Sequence, residues 1–212
     1  MTGVSHADDA LRVAKGASRA YSFMMLDVGL AAGIFKKHNL NIEESSIDGA
    51  ARLHQAMVSD SIDIALGAGT DIAFIAKGSP EKGVGVMATN PLNMALTLRA
   101  DSPIKKVSDL KGKTIGINAF GSAVDLVVRV VLKKNGLDPK KDVQIVEVPF
   151  PSMGPAIREK RVDCGAMVLP FMAAEEKKGG LRSLFTDADA FGPFSVIFQV
   201  STNSFLKQNT AA

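Results

Sequence analysis

The sequence predicts an α/β protein of two lobes, each built on a mainly parallel sheet. Short extended runs alternate with helical patterns in the order β-α-β-α-β, and this order occurs twice along the 212 residues. Apolar residues make up 46% of the chain and charged residues 22%, a composition that can bury a real core. A chain of this length allows one large domain or two smaller lobes, and the repeated order favours two.

The first unit begins with an extended run that Gly16 ends. The helix from Phe23 ends at Lys36-Lys37-His38, because basic residues suit a helix C-terminus, and Asp48 is placed to cap the next helix. The elements predicted in chain order are strand 11–15, helix 23–38, strand 41–47, helix 48–59, strand 62–66, helix 72–76 and strand 83–88.

The second unit begins near Ala100. Its strongest helix follows Ser122 and stops at Asn135-Gly136, the residue types that end helices. The apolar stripe predicted for this helix consists of Ala123, Leu126, Val127, Val130 and Val131. The elements predicted in chain order are strand 112–117, helix 123–134, strand 143–148, helix 152–160, strand 162–168, a helix from 170 to 179 and strand 194–200.

Composition and charge exclude several classes of protein. The single cysteine, Cys164, rules out an internal disulfide framework and a cysteine-rich zinc module. The three histidines lie far apart and make no ligand pair, so we expect no metal. We also expect no cofactor. A net charge of +3 is too small to indicate a nucleic-acid partner. No apolar run reaches the ~18 residues that a membrane-spanning helix needs.

The amino terminus has two interpretations. Ser5 and Ala7 are small residues at the −3 and −1 positions of a cleavage site after Ala7, so residues 1–10 can be the remnant of a secretory leader. The same residues are equally compatible with a disordered terminus of no function.

Two loops are candidates for ligand binding because each joins the end of a strand to the start of a helix. They are Gly67-Ala68-Gly69-Thr70-Asp71 and Ala119-Phe120-Gly121-Ser122. Glycine lets backbone approach a ligand closely, and the free N–H groups of a first helical turn favour anionic or carbonyl oxygens. The alternative is that Thr70 and Ser122 are only helix caps. If the lobes face each other, both loops line one cleft.

Catalysis has little support in the sequence. Neither a nucleotide-binding glycine motif nor a Gly-x-Ser-x-Gly elbow is present, and no histidine is placed beside Ser122. Asp71 and Asp125 form an acid/base pair in one interpretation; in the other they stabilise first helical turns or pair with ligand donors. Cys164 lies in an apolar strand and is interpreted as a buried, inert thiol.

Four segments together resemble one known family. They are GLAAGIFKKHNLNIE, SDSIDIALGAGTDIAFIAKG, ADSPIKKVSDLKGKTIGINAFGSAVDLVVRVVLKKNGLDPKKDVQIVEV and VDCGAMVLPFMAAEEKKG. The chain resembles the substrate-binding proteins of bacterial ABC importers, in the nitrate/sulfonate/taurine-like branch that also contains thiamine-precursor binders. The similarity runs from about Leu11 to Gln208.

The resemblance implies a periplasmic-binding-protein fold of type II, with a central cleft that closes by a hinge. It implies a first lobe of residues 11–98 and 197–212 and a second lobe of 99–196, with crossings near 98–100 and 194–197. Because the family continues with further helices, we expect the first lobe to lack its C-terminal part. Carried over by position, the ligand-binding residues are Ser18, Arg19, Tyr21, Ser22, Gly69, Thr70, Asp71, Asn90, Gly121, Ser122, Ala123, Pro149, Pro170 and Phe171.

The implied function is that of a periplasmic receptor, which delivers a small organic or anionic solute to an ABC permease. Sulfonate, nitrate, carboxylate and pyrimidine-like ligands are all open, and Arg19 is the cation best placed for a sulfonate or carboxylate. We expect a monomer that binds no nucleic acid. An enzyme on the same fold, of the thiamine-pyrimidine or menaquinone pathway, is the alternative, although the thiamine-pyrimidine synthases carry a cysteine-rich stretch that this chain lacks. A sensory ligand-binding domain fused to a regulator is a third class.

Overall fold

The computed structural model describes residues 9–68, 70–89, 94–192 and 195–209. Within these ranges the strands form two five-stranded sheets. The strands are β1 Asp9–Lys15, β2 Leu40–Ser46, β3 Ile64–Ala68, β4 Glu81–Thr89, β5 Met94–Arg99, β6 Thr114–Ile117, β7 Gln144–Glu147, β8 Cys164–Val168, β9 Leu181–Thr186 and β10 Ser195–Thr202.

Helices connect the strands and cover the sheets. Those in the described ranges are α1 Met24–Ala31, α2 Ile34–Lys37, α3 Ala50–Val58, α4 Thr70–Ala76, α5 Ala123–Lys134, α6 Phe150–Arg158, α7 Phe171–Lys178, α8 Asp187–Phe191 and α9 Asn203–Gln208. In this described part of the chain, no helix combines the length and the apolar character needed to cross a bilayer.

Both sheets have the same topology. The strand order is β2-β1-β3-β10-β4 in the first sheet and β7-β6-β8-β5-β9 in the second. In each sheet the first three strands are parallel, and the fourth runs antiparallel to both of its neighbours. The chain passes from β4 in the first sheet to β5 in the second, and it returns from β9 to β10. The predicted two-lobed α/β architecture is therefore confirmed. The sheets are mixed rather than mainly parallel as expected, because two of the four strand pairings in each sheet are antiparallel.

This topology determines where a ligand site can form. The parallel strands β1, β2 and β3 are each followed by a helix, and so are β6, β7 and β8. The starts of these helices therefore lie at the carboxyl ends of the strands, where open α/β sheets bind their ligands. The antiparallel strands β5 and β10 are the first strands that the chain enters after it crosses from one sheet to the other.

Helix α5 is predicted correctly in extent, and its predicted buried stripe is confirmed at Val127 and Val131 but wrong at Leu126. Ser122 caps the helix and Asn135 follows its last turn, as expected. Leu126 was expected in the core and is 48% exposed. Because valine and leucine occur on several faces of this helix, the sequence alone does not select one stripe. The residues that pack into the core are Val124, Val127, Val128, Val131 and Leu132.

Two predictions about the first lobe are wrong in detail. The single helix expected from Phe23 to His38 is divided, because Gly33 adopts a left-handed φ of +67° between α1 and α2. Asp48 does not cap α3. The residue at the N-cap is Gly49, and no side chain makes a capping hydrogen bond there.

Strands β5 and β9 were not predicted. Residues Met94–Leu98 of β5 are all buried, so this strand lacks the alternation that marks a half-exposed strand. β5 pairs with β8 and β9 in the second sheet, although its residues were assigned to the first lobe as far as 98. The boundaries between lobes stay predictions, and we propose that each lobe consists of one sheet with its helices. Residues 1–8 and Phe194 lie outside the described residues.

Candidate functional site

A cavity of about 60 Å³ lies between the two lobes, at the carboxyl ends of strands from both sheets. The first lobe contributes the loop after β1 and the start of α3. The second contributes the loop after β6, the start of α5, and residues after β7 and at the end of β8. The described lining residues are Gly16, Ala17, Ala20, Ser22, Phe23, Gly49, Ala50, Asn118, Ser122, Ala123, Val124, Phe150, Val168 and Ile197.

Hydrogen bonds within the second lobe fix the start of α5. Ser122 Oγ donates to Asn118 Oδ1 at 2.9 Å and accepts from the N–H of Asp125 at 3.2 Å. Asp125 Oδ2 accepts from the N–H of Gly121 at 2.9 Å, and its Oδ1 accepts from Arg129 Nε at 2.6 Å. Asp125 therefore fixes the loop before α5, and its charge is paired with that of Arg129.

The start of α3 faces the same cavity from the first lobe. Gly49 has a φ of +91°, which side chains rarely adopt, and its N–H donates to the carbonyl of Gly16 at 3.1 Å. A Cβ on Gly49 would lie 3.0 Å from the Cβ of Ala119 in the opposite lobe. Glycine therefore allows the close approach of the two helix starts, whose first N–H groups have no partners within their helices.

The lobes also touch through directional contacts. The N–H of Tyr21 donates to the carbonyl of Leu169 at 3.0 Å. At a second place, Arg52 Nη2 lies 3.4 Å from Glu147 Oε2, and Glu147 Oε1 accepts from the N–H of Phe120 at 2.7 Å. The structure therefore shows the lobes in contact around the cavity.

A buried lysine supports the loop that lines the first-lobe side. Lys15, directly before Gly16, is buried, and its Nζ contacts Asp27 Oδ1 at 2.6 Å and Glu44 Oε1 at 2.7 Å. Burial lowers the pKa of Lys15, but the hydrogen bonds to the two carboxylates outweigh it, and the pKa is raised. The lysine thus stays charged and ties α1 and β2 to the end of β1.

Of the predicted binding residues, Ser22, Ser122 and Ala123 line the cavity. Two more lie directly beside it. Gly121 packs against α3, since its added Cβ would lie 3.1 Å from that of Ala51. Phe171 stacks on the lining Phe150, with ring centroids 5.6 Å apart.

The other predicted residues are not among the described lining residues. Ser18, Arg19, Tyr21, Pro149 and Pro170 are exposed, and their contact with a ligand stays a prediction. Gly69 and Asn90 lie outside the described residues, as does the side chain of Asp71.

Thr70 starts α4, two residues beyond the end of β3. Its Oγ1 is buried without a hydrogen-bond partner. Ala68, the last residue of β3, is paired with the cavity-lining Ile197. A buried hydroxyl without a partner costs free energy unless a ligand or water binds it, so Thr70 is still a candidate binding residue.

Sequence reasoning missed the apolar lining of the cavity. Gly16, Gly49 and Phe150 carry no chemical signal that separates a lining residue from a turn or core residue. Asn118 is polar and follows β6 directly, so its position at a strand end was a usable signal.

The described lining offers binding groups rather than reactive ones. It contains no charged side chain, no histidine and no cysteine. Cys164 is fully buried, and its burial, with the nearby charge of Asp163, raises its pKa. In the described ranges, no group of three or more His, Cys, Asp or Glu side chains could hold a metal ion.

Sequence comparison finds relatives with related names. A provisionally named thiamine biosynthesis protein of Haemophilus influenzae is 31% identical over 132 residues, which are 62% of this chain and 41% of that protein. A provisionally named aliphatic sulfonates-binding protein of Escherichia coli is 32% identical over 145 residues, 66% of this chain and 44% of that protein. The chain thus spans about half the length of these relatives.

Solved structures share the fold. The periplasmic aliphatic sulphonate binding protein SsuA of Escherichia coli has a TM-score of 0.72 at 24% identity, over 95% of this chain and 68% of that one. The alkanesulfonate-binding protein SsuA of Xanthomonas axonopodis pv. citri, bound to MOPS, has a TM-score of 0.74 at 22% identity, over 94% and 67%. These likenesses confirm the periplasmic-binding-protein fold.

The sequence profile of one family covers most of the chain. It matches residues 21–212 and is described as NMT1/THI5 like. The resemblance to solute-binding proteins of ABC importers is confirmed by this match together with the named relatives and structures. The chain belongs to the NMT1/THI5-like family.

Proposed function

We propose that this chain is the solute-binding part of an ABC importer and that it holds a small solute with an anionic group, such as an organosulfonate, in the cavity between its lobes. The observation that carries the proposal is the convergence of two helix starts, those of α3 and α5, on one cavity.

Electrostatics favours an anion at this place. Each helix start carries about half a positive charge together with unpaired N–H groups. The described lining contains no cationic side chain that would supply the positive charge instead. An anionic group between the helix starts would therefore be held mainly by backbone N–H donors.

The size of the cavity favours a small group. Pockets for drug-sized ligands have volumes of ~300–1,000 Å³. The cavity here, of about 60 Å³, accommodates a head group or a very small solute. The names of the sulfonate-binding relative and of both SsuA structures agree with a sulfonate head group.

The partners and location follow from the proposed role. A solute-binding part of an importer acts outside the cytoplasmic membrane and presents its ligand to a permease, so we propose a periplasmic location and a permease partner. Closure of the lobes over the ligand is the change that the permease would recognise. We propose that the chain acts as a monomer and as a receptor without enzymatic activity.

A neutral, planar ligand is the second candidate. The name of the Haemophilus influenzae relative favours it, and so do Phe23 and Phe150, whose rings line the cavity. Aromatic faces suit a pyrimidine ring. An enzyme acting on such a ring needs a reactive group at the site, and Cys164 is buried away from it.

Titration calorimetry separates these candidates. Ethanesulfonate, its neutral isostere ethanesulfonamide and 4-aminopyrimidine are titrated separately into the same preparation. We expect binding of ethanesulfonate and at least about 10-fold weaker binding of the sulfonamide, a difference of ~1.4 kcal/mol. Equal affinity for the charged and neutral isosteres, or a preference for the pyrimidine, would overturn the anion proposal.

A further inference from the structure

We propose that Arg52 and Glu147 form a salt-bridge latch, which holds the lobes together over the cavity and strengthens solute binding without touching the solute. The proposal rests on the proposed function for its effect on affinity. The latch itself is a statement about the lobes and is tested below without any ligand.

Each partner of the latch is anchored in its own lobe. Arg52 is the third residue of α3, and its Nη1 donates to the carbonyl of Asp48 at 3.4 Å. Glu147 is the last residue of β7, and its Oε1 accepts from the N–H of Phe120 at 2.7 Å. The contact between the lobes is made by the remaining nitrogen and oxygen, Arg52 Nη2 and Glu147 Oε2, at 3.4 Å.

The Arg52–Glu147 contact depends on the arrangement of the lobes, because it crosses the cleft while the other hydrogen bond of each residue stays within its own lobe. When the lobes separate, Glu147 keeps its bond to Phe120, and only the contact with Arg52 is lost. The contacts between lobes that lie beside it are van der Waals packing of small residues, at Gly49 against Ala119 and at Gly121 against α3, and the hydrogen bond from the N–H of Tyr21 to the carbonyl of Leu169 joins the lobes at a second place. An interaction present in one arrangement only shifts the equilibrium toward it.

The expected effect is modest because both side chains reach solvent. Arg52 is 55% exposed and Glu147 34%. Exposed ion pairs of this kind change an equilibrium by a factor of about 2 to 5, and salt screens them. Neither residue is among the described lining of the cavity, so a change in affinity on their substitution has to come from the lobes.

A double-mutant cycle tests whether the two residues act as a unit. Arg52→Gln and Glu147→Gln each remove one charge, and glutamine at 147 still accepts from the N–H of Phe120. We expect each to weaken ethanesulfonate binding about 2- to 5-fold, the double variant to be no weaker than either, and Arg52→Lys to keep most of the affinity. Losses that multiply in the double variant would overturn the latch.

The chain offers a matched control. Arg161 pairs with Glu159 at 2.9 Å, both residues lie in the second lobe, and both side chains are more than half exposed. Arg161→Gln removes an equivalent surface charge without affecting a contact between lobes. We expect it to leave the affinity unchanged, and a loss equal to that of Arg52→Gln would overturn the proposal.

Distance measurements test the latch without a ligand. Spin labels are attached at Lys77→Cys in the first lobe and Lys133→Cys in the second, both exposed, while Cys164 is fully buried and does not react. We expect the distribution of distances between the labels to gain a longer component in Arg52→Gln. About 1 M salt should add that component to the wild type and leave the distribution of the variant unchanged.

Distance distributions that are identical in the wild type and in Arg52→Gln at low salt would overturn the latch. If none of the solutes binds while the variants still lengthen the distance, the latch stands and the proposed function fails. The two proposals are therefore tested separately.

Discussion

Arg12 and Asp63 join β1 to the turn before β3, at the end of the first sheet away from the cavity. Asp63 Oδ1 accepts from Arg12 Nη2 at 2.6 Å, and Oδ2 accepts from the backbone N–H of Arg12 at 2.8 Å. Burial raises the pKa of Asp63, but the hydrogen bonds and charge of Arg12 outweigh it, so the pKa is lowered. This pair stabilises strand β1, which leads into the loop that lines the cavity.

The lowered pKa of Asp63 predicts a loss of stability in acid. A carboxylate with a lowered folded-state pKa stabilises the fold fully above its unfolded pKa of about 4, and this contribution is lost as the pH falls through the folded value. Asp63→Asn should lower the free energy of unfolding at pH 7 by about 1–3 kcal/mol and flatten its dependence on pH below about 4. Urea unfolding between pH 7 and pH 2.5 measures both effects.

Asp60 provides the control for this substitution. It lies 3.4 Å from Arg12 Nη2 but its side chain is 89% exposed. Asp60→Asn should therefore change the stability by less than about 0.5 kcal/mol. Parallel pH curves for the wild type and Asp63→Asn would contradict the role given to the pair.

Single residues also show which parts of the candidate site can be predicted from the sequence. Ser122 was predicted because a hydroxyl before an apolar helix is a chemical signal, and it both caps α5 and lines the cavity. Gly49 has no such signal. Its importance comes from a φ of +91° and from Ala119, which lies in the other lobe and far along the chain.

The starts of α3 and α5 are the elements on which the site depends. They belong to different lobes, and they approach closely because the residues between them are small. We call this contact the seam; it consists of Gly49, Ala51, Ala119 and Gly121. A helix start in this position offers unpaired N–H groups to whatever fills the cavity. The seam therefore has to remain narrow for both helices to reach one ligand.

Gly49→Ala tests the seam. We expect it to weaken ethanesulfonate binding about 10-fold or more, because the new Cβ would lie 3.0 Å from Ala119 and hold the helix starts apart. It should also lower stability by about 1–2 kcal/mol, since alanine is strained at positive φ. Calorimetry and thermal unfolding measure the two effects.

Gly78→Ala is the matched control, because Gly78 has a φ of +92° and no atom within 4 Å of its added Cβ. It should show the loss of stability without the loss of affinity. Equal affinities for the two glycine variants would contradict the importance of the seam.

At the level of elements, the sequence predicts most of the fold because helices and half-exposed strands carry periodic signals. It fails at β5, where buried residues on both faces remove the alternation, and at β9, where no clear pattern exists. It also fails between α1 and α2, since an apolar run continues through Gly33 and only the backbone turn at that glycine divides it.

At the scale of the whole molecule, the described residues form two sheets of one topology, with the cavity between them and directional contacts around it. The chain passes between the sheets twice, from β4 to β5 and from β9 to β10. This pairing of lobes was predictable from the repeated order of elements. Which faces meet was not predictable, because the contacts described above join residues distant in sequence.

The central proposal is that an anionic group binds between the starts of α3 and α5, and a crystal structure of the chain with bound ethanesulfonate tests it most directly. We expect the sulfonate oxygens within hydrogen-bond distance of backbone N–H groups in the first turns of both α3 and α5, including those of Ala50 and Ala123. A sulfonate bound outside this cavity, or held by Arg19 without either helix start, would contradict the proposed site.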